Sequence, residues 1–93
     1  MKDLFPIAID FIKFVRNHFS DHIVFNVSDQ TDKIEIRIFL LSTSVKPELT
    51  IFIYDTYYDV FLDTKHKITH ERCFCKANVK DLIKAYISEY FSV

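Results

Sequence analysis

The stretch from Lys33 to Leu41 carries the clearest period of two in the chain, with Ile34, Ile36, Ile38 and Leu40 on one side and Lys33, Glu35 and Arg37 on the other. Side chains on a strand point alternately to its two faces, so this segment is a strand with one face on a core and one toward solvent. A sheet built from such strands needs a cover on its apolar face only.

The ends of the chain supply that cover. Asp3 is placed to cap a first helix and Pro6 fits its first turn, where the missing N–H is not needed. Ile7, Ala8, Phe11, Ile12, Val15 and Phe19 then recur at helical spacing, opposite Asp10, Lys13, Arg16, Asn17 and Ser20. A closing helix is expected from Asn78 to Phe91, with Asn78 and Asp81 at its N-terminal cap and an apolar stripe of Val79, Leu82, Ile83, Tyr86, Ile87 and Tyr90.

Between them, His22 to Ser28 alternates with Ile23, Phe25 and Val27 facing one way, and Asp29 to Asp32 is turn chemistry. Ser42 to Glu48 reads as a loop. The fifteen residues from Leu49 to Asp63 are long for one strand and divide into two, hinged near Asp55-Thr56. A fifth strand is expected around His70 to Lys76. Short connections between successive strands favour an antiparallel meander. The expected architecture is therefore a single α+β domain over residues 1–93, an antiparallel four- to five-stranded sheet with the N- and C-terminal helices packed on one face.

Composition narrows function more than it names it. The chain has no glycine, so it cannot build the phosphate cradles of the common nucleotide-binding motifs, which need close backbone approach and positive φ. No cofactor is expected. A formal net charge of −1 argues against a domain that grips phosphate backbones, and no nucleic-acid partner is expected. Met1 to Pro6 lacks the layout of a signal peptide, and the run Ile38 to Leu41 is far too short to span a bilayer. Two cysteines one residue apart make no disulfide framework, so the reducing cytoplasm is the expected compartment.

Four constellations bear on chemistry. His66, His70, Cys73 and Cys75 are potential zinc ligands, but their spacing matches no common zinc motif, and on a strand Cys73 and Cys75 face away from His70 and Arg72. Two small core cysteines beside two surface histidines are the expected outcome, and no metal site is expected. Ser42 and Ser44, with histidines and aspartates elsewhere, are parts for hydrolysis without a nucleophile elbow or an oxyanion hole, so no catalytic residues are expected. Asp55, Asp59 and Asp63 lie four apart, with Asp59 and Asp63 on one face. Solvated strand charges that deter aggregation are their ordinary explanation.

The fourth constellation is the sheet face away from the helices. Alternation places Phe39, Leu41, Phe52, Tyr54, Tyr57 and Phe61 there, where a half-buried sheet is mostly polar. Aromatic residues on an open face beside Asp59 and Asp63 have the make-up of an interface, apolar anchors with a charged rim. The competing outcome is a second small core, under a curled sheet or under the loop Ser42 to Glu48. Charge is also segregated along the sequence: no Lys or Arg lies between Lys46 and Lys65, whereas Lys65, Lys67, Arg72, Lys76 and Lys80 follow, an arrangement that can steer a charged partner.

The stretch Leu49 to Asp63 (LTIFIYDTYYDVFLD), followed by Lys80 to Ile87 (KDLIKAYI), resembles small bacterial toxin-immunity proteins in size, strand-then-helix layout and acidic aromatic surface. The resemblance covers about half the chain and implies a compact α+β domain that neutralises a cognate toxin, often a nuclease. Combined with the residue pattern, it gives the expected function: a non-enzymatic inhibitor whose protein partner meets Tyr54, Asp55, Tyr57, Asp59, Phe61 and Asp63, the carboxylates complementing a basic cleft and the rings anchoring the contact. The alternative is a homodimer that pairs its aromatic sheet faces in a structural or small-ligand role. Monomer and homodimer both remain open, and no membrane partner is expected.

Overall fold

Five strands in succession form one antiparallel sheet in the order β1-β2-β3-β4-β5, bracketed by two helices, in a computed structural model that describes residues 3–19, 23–40 and 47–91. The elements are α1 (Phe5–His18), β1 (Ile23–Asp29), β2 (Ile34–Leu40), β3 (Glu48–Ile53), β4 (Tyr58–Asp63), β5 (Ile68–Cys73) and α2 (Lys76–Tyr90). His22, Leu41 and most of the loop expected over Ser42 to Glu48 lie outside the described residues, and so does the expectation that this loop folds over the sheet.

Register is set by three hairpins with two-residue loops: Thr31-Asp32, Asp55-Thr56 and Lys65-His66. Next to each loop an N–H donates across the hairpin: Gln30 to the Lys33 carbonyl at 2.9 Å, Tyr54 to Tyr57 at 3.0 Å and Thr64 to Lys67 at 2.9 Å. Such loops commonly use Asn-Gly or Asp-Gly, and this chain makes all three without glycine. In the last, the Thr64 hydroxyl accepts from the His66 and Lys67 N–H groups, each at 3.2 Å, and donates to the Lys67 carbonyl at 3.1 Å. A side-chain oxygen thus holds a turn that no glycine or asparagine marks.

Antiparallel pairing aligns the apolar side chains into rows across the sheet. Ile36, Ile51 and Val60 stand side by side, as do Ile38, Leu49 and Leu62, and Ile34, Ile53 and Tyr58. α1 sets Ala8, Phe11 and Val15 on these rows, and α2 adds Val79, Ile83 and Ile87, all within a single buried cluster. Both helices therefore cover the same face. The edge of Phe11 meets the Tyr58 ring, with centroids 5.7 Å apart, and burial pushes the Tyr58 phenol above its ordinary value. Asp10 of α1 meets Lys80 of α2 at 3.0 Å.

Several boundaries differ from those expected. β5 starts at Ile68 and ends at Cys73, because the tight loop at Lys65-His66 lets pairing resume two residues before His70. α2 consequently begins at Lys76 after Cys75, so Asn78 and Asp81 lie inside its first turns rather than at its cap. At the first helix the Asp3 carboxylate accepts the Phe5 N–H at 3.1 Å, as a capping side chain does, although Leu4 occupies the cap position. β1 turns Ile23, Phe25 and Val27 to the helix face, but as an edge strand it leaves Val27 exposed. No helix among the described residues is long and apolar enough to cross a membrane.

Ile51 sits at the centre of the buried rows with no exposed surface. Ile51→Ala is expected to lower the unfolding free energy by about 2–5 kcal/mol in denaturant titrations, whereas Ser28→Ala on the exposed edge is expected to change it by no more than about 0.5 kcal/mol. Equal effects would contradict this placement of the core.

Candidate functional site: the open face of the sheet

The face opposite the helices is built from the other half of each strand. One row crosses it as Ser28, Glu35, Phe52, Asp59 and Arg72; the next as Asn26, Arg37, Thr50, Phe61 and His70; a third as Val24, Phe39, Glu48, Asp63 and Ile68. Phe39, Phe52 and Phe61 therefore lie where alternation puts them, half-buried on a face that neither helix covers. Tyr54 and Tyr57, beside the β3–β4 loop, stack on each other with ring centroids 4.5 Å apart. Phe52 meets Phe61 edge to face at 5.6 Å, and Phe61 stacks on His70 at 4.4 Å. The strands thus assemble one aromatic cluster from β3, β4 and β5.

Asp59 occupies the middle of that cluster. Although it points to the open face, it is only 6% exposed, and it is the one buried charged residue among those described. Arg72, directly opposite in register, donates Nε to Oδ1 at 2.9 Å and Nη2 to Oδ2 at 3.3 Å, and His70 Nε2 lies 3.0 Å from Oδ1. The Arg72 hydrogen bonds hold the Asp59 carboxyl below its ordinary value against the opposing effect of burial, with His70 adding to the lowering. The same guanidinium lies over the Tyr57 ring, 4.4 Å from its centroid. Lys33 Nζ hangs over Phe52 at 5.0 Å and over Tyr54 at 5.6 Å.

All six residues expected at a partner surface lie on this face or at its β3–β4 end, but they do not act alike. Tyr54, Tyr57 and Phe61 are half-buried ring surfaces, Asp55 is exposed in the loop and Asp63 lies in the third row. Asp59 is different. With both oxygens engaged inside the protein, it organises Arg72 and His70 instead of presenting a carboxylate outward. It is thus not the solvated strand charge expected from the sequence, and a lysine in its place would face Arg72 from a buried position.

Two acids from the middle of the sequence, Glu48 and Asp59, are engaged by arginines of neighbouring strands. Consecutive strands set unlike charges side by side, so Arg37 of β2 pairs with Glu48 of β3, and Arg72 of β5 pairs with Asp59 of β4. Lys76 and Lys80 of the basic stretch turn instead to Asp10 on the helical side. What remains on the open face is a shallow hollow of about 420 Å³ whose walls include Glu35, Arg37, Glu48 and Asp63, with Phe52 and Phe61 among its lining.

His66, His70, Cys73 and Cys75 are not brought together. Cys73 faces the helices, where burial pushes its thiol up and keeps it protonated, whereas Cys75 is exposed just before α2. His66 lies in the β4–β5 loop and His70 on the open face. No group of three or more His, Cys, Asp or Glu side chains among the described residues has the arrangement to hold a metal ion.

Lys33, His70 and Arg72 are site residues that sequence reasoning left out. For His70 and Arg72 the position follows from the β4–β5 loop: two residues at Lys65-His66 place Arg72 opposite Asp59 by counting alone. Asp59 has a lowered pKa in the fold, so its contribution to stability is present in full above the ordinary carboxylate range near pH 4 and fades as pH falls through the folded value. Asp59→Asn is expected to be less stable than the wild type at pH 7 and the difference to shrink below pH 4, as read by denaturant unfolding at pH 7, 5 and 3. A gap that does not change with pH would contradict this role.

No protein-family model matches the chain, and comparisons with curated proteins and with solved structures find no significant match. The geometry of the open face is therefore the ground on which function is assigned.

Proposed function

We propose that this is a non-enzymatic protein-binding domain that inhibits its partner through the open face of its sheet, in the manner of the small bacterial immunity proteins it resembles. One observation carries the reading: Phe52, Tyr54, Tyr57 and Phe61 form a continuous, half-buried aromatic cluster on a face that neither α1 nor α2 covers. Rings of this kind supply the anchors of protein interfaces, and a charged surround fixes orientation. The cluster is already tied together by Arg72, Asp59 and Lys33, so little side-chain freedom remains to be lost on binding. A nuclease toxin with a basic cleft is the partner class that the resemblance suggests, and the cytoplasm is the proposed compartment, in keeping with the free thiols of Cys73 and Cys75.

The mechanism is obstruction. Tyr57 and Phe61 anchor the contact, with Tyr54 alongside. Asp55 at the loop and Asp63 in the third row contribute charge, and Asp59 keeps Arg72 and Tyr57 in place. A second reading, a homodimer through the same face, is favoured by charge: Glu35, Glu48, Asp59 and Asp63 share it with Lys33, Arg37 and Arg72, a near-balanced mixture that suits self-association.

The test is affinity capture of the partner by the wild-type chain, by Tyr57→Ala and by Phe61→Ala, with circular dichroism and thermal melting to establish that each variant is folded. Each substitution is expected to weaken binding by about 30-fold or more. Folded variants that bind as well as the wild type would overturn the reading. Light scattering separates the two readings: a monomer at micromolar concentration is expected, and a stable dimer lost in the same two variants would establish the second.

A further inference from the structure

The two edges of the sheet are not alike. β5 ends it with His70, Glu71 and Arg72, whereas β1 ends it with Ile23–Asp29, a strand without Lys, Arg or Pro. No other described strand pairs with β1, and Asn26, Val27, Ser28 and Asp29 are all exposed. Gln30 donates to Lys33 beside the loop, so the alternation of an antiparallel ladder makes Ser28, Asn26 and Val24 the residues bonded to β2. The N–H and C=O groups of Ile23, Phe25, Val27 and Asp29 therefore point away from the sheet. Such an edge is a template for another strand, and charges, proline and bulges are its usual protection.

The flank of α1 above this edge is apolar as well. Phe5, Ile9, Ile12 and Arg16 recur at helical spacing and share one stripe. Arg16 lies over the Phe25 ring, 5.4 Å from its centroid, so the stripe overhangs β1. At the other end Phe5 and Asp29 line one hollow, so α1 runs antiparallel to β1. Phe5 is 43% exposed, Ile9 47% and Val27 39%, so three of the five exposed large apolar side chains among the described residues gather at this edge. Charge is divided along it, with Arg16 toward one end and Asp29 at the other.

We propose that β1 docks β1 of a second copy of the chain, paired antiparallel about a two-fold axis through Asn26. In this register Phe25 of each copy stands opposite Val27 of the other, and Ile23 opposite Asp29, with their outward main-chain groups bonded across the seam. Val24 meets Ser28 and Asn26 meets its counterpart, so no like charges oppose each other. Because the copies run in opposite directions, the Arg16 lying over Phe25 comes to the other copy's Asp29, which is diagonal from Phe25 at a distance that long side chains span. This self-complementarity selects a second copy over an unrelated strand, since each copy supplies both the cation and the anion. Two five-stranded sheets become one, with both open faces on the same side, so a multivalent partner meets the site twice. A seam one strand long falls short of the roughly 1,200–2,000 Å² of a standard interface, so the pairing is weak and the chain is a monomer at micromolar concentration.

The test is a dilution series of the isotope-labelled chain from about 1 mM to about 20 µM, read by sedimentation and by amide hydrogen exchange. Dimer is expected at the upper end, where the Phe25 and Val27 amides become protected. Val27→Lys is expected to weaken association by at least about tenfold. Arg16→Glu is expected to weaken it by about threefold or more, and Arg16→Glu combined with Asp29→Arg to restore it. Circular dichroism establishes that each variant is folded, and the charge swap carries the test alone should Val27→Lys unfold. A chain that is monomeric at every concentration would overturn the proposal, and so would a double variant that stays as weak as Arg16→Glu. A dimer that survives Val27→Lys but is lost in Phe61→Ala would place the contact on the open face and overturn it too. Protection of Phe25 and Val27 only on addition of another protein would do the same. Capture of the partner through Tyr57 and Phe61 does not depend on these outcomes, so the two proposals stand or fall separately.

Discussion

A carboxylate on a sheet face that no helix covers becomes buried only when its neighbours close around it, and the open face of this protein is organised by that event. Asp59 stands between Phe52 and Arg72 across the strands and next to Phe61 along its own. Leaving its charge unpaired there would be costly, and Arg72 and His70 meet the demand. The consequences spread outward. Arg72, fixed by Asp59, lies over Tyr57, which stacks on Tyr54, while His70 stacks on Phe61. A set of rings that would otherwise be independent surface side chains becomes a connected and pre-organised surface.

The two faces of the sheet thus solve different problems with the same strands. On the helix side, rows of Ile, Leu and Val meet α1 and α2 and exclude water, which provides the stability. On the other side, which neither α1 nor α2 covers, cross-strand ion pairs and ring contacts tie the side chains together. The β5 edge carries His70, Glu71 and Arg72, charges and polar groups of the kind that discourage pairing with another sheet.

Alternation along single strands was legible in the sequence, and with it the fold class, the common face for the helices and the outward direction of Phe52, Asp59, Phe61 and Asp63. The break at Asp55-Thr56 was legible too, because aspartate and threonine between two apolar runs are turn residues. The β4–β5 register was not. Lys65-His66 has no turn signature, and the residue that holds the loop, Thr64, acts through a side-chain hydroxyl that composition does not advertise. Without that register Arg72 cannot be set opposite Asp59, so the charges were read along the chain, as an acidic middle followed by a basic stretch. In the sheet Arg72 of the basic stretch meets Asp59, whereas Lys76 and Lys80 turn to Asp10 on the helical side. The sequence showed which way each side chain points; the loop geometry determined what it meets.

The claim that Asp59 organises the open face through Arg72 is tested most directly by NMR of the Arg72 Nε–H group at neutral pH. A guanidinium bonded to Asp59 and stacked on Tyr57 is expected to give a resolved Nε–H signal, protected from solvent exchange and shifted by the ring, with nuclear Overhauser contacts to Tyr57 ring protons. A signal at the position of a free arginine, exchanging rapidly and without contact to Tyr57, would contradict the account.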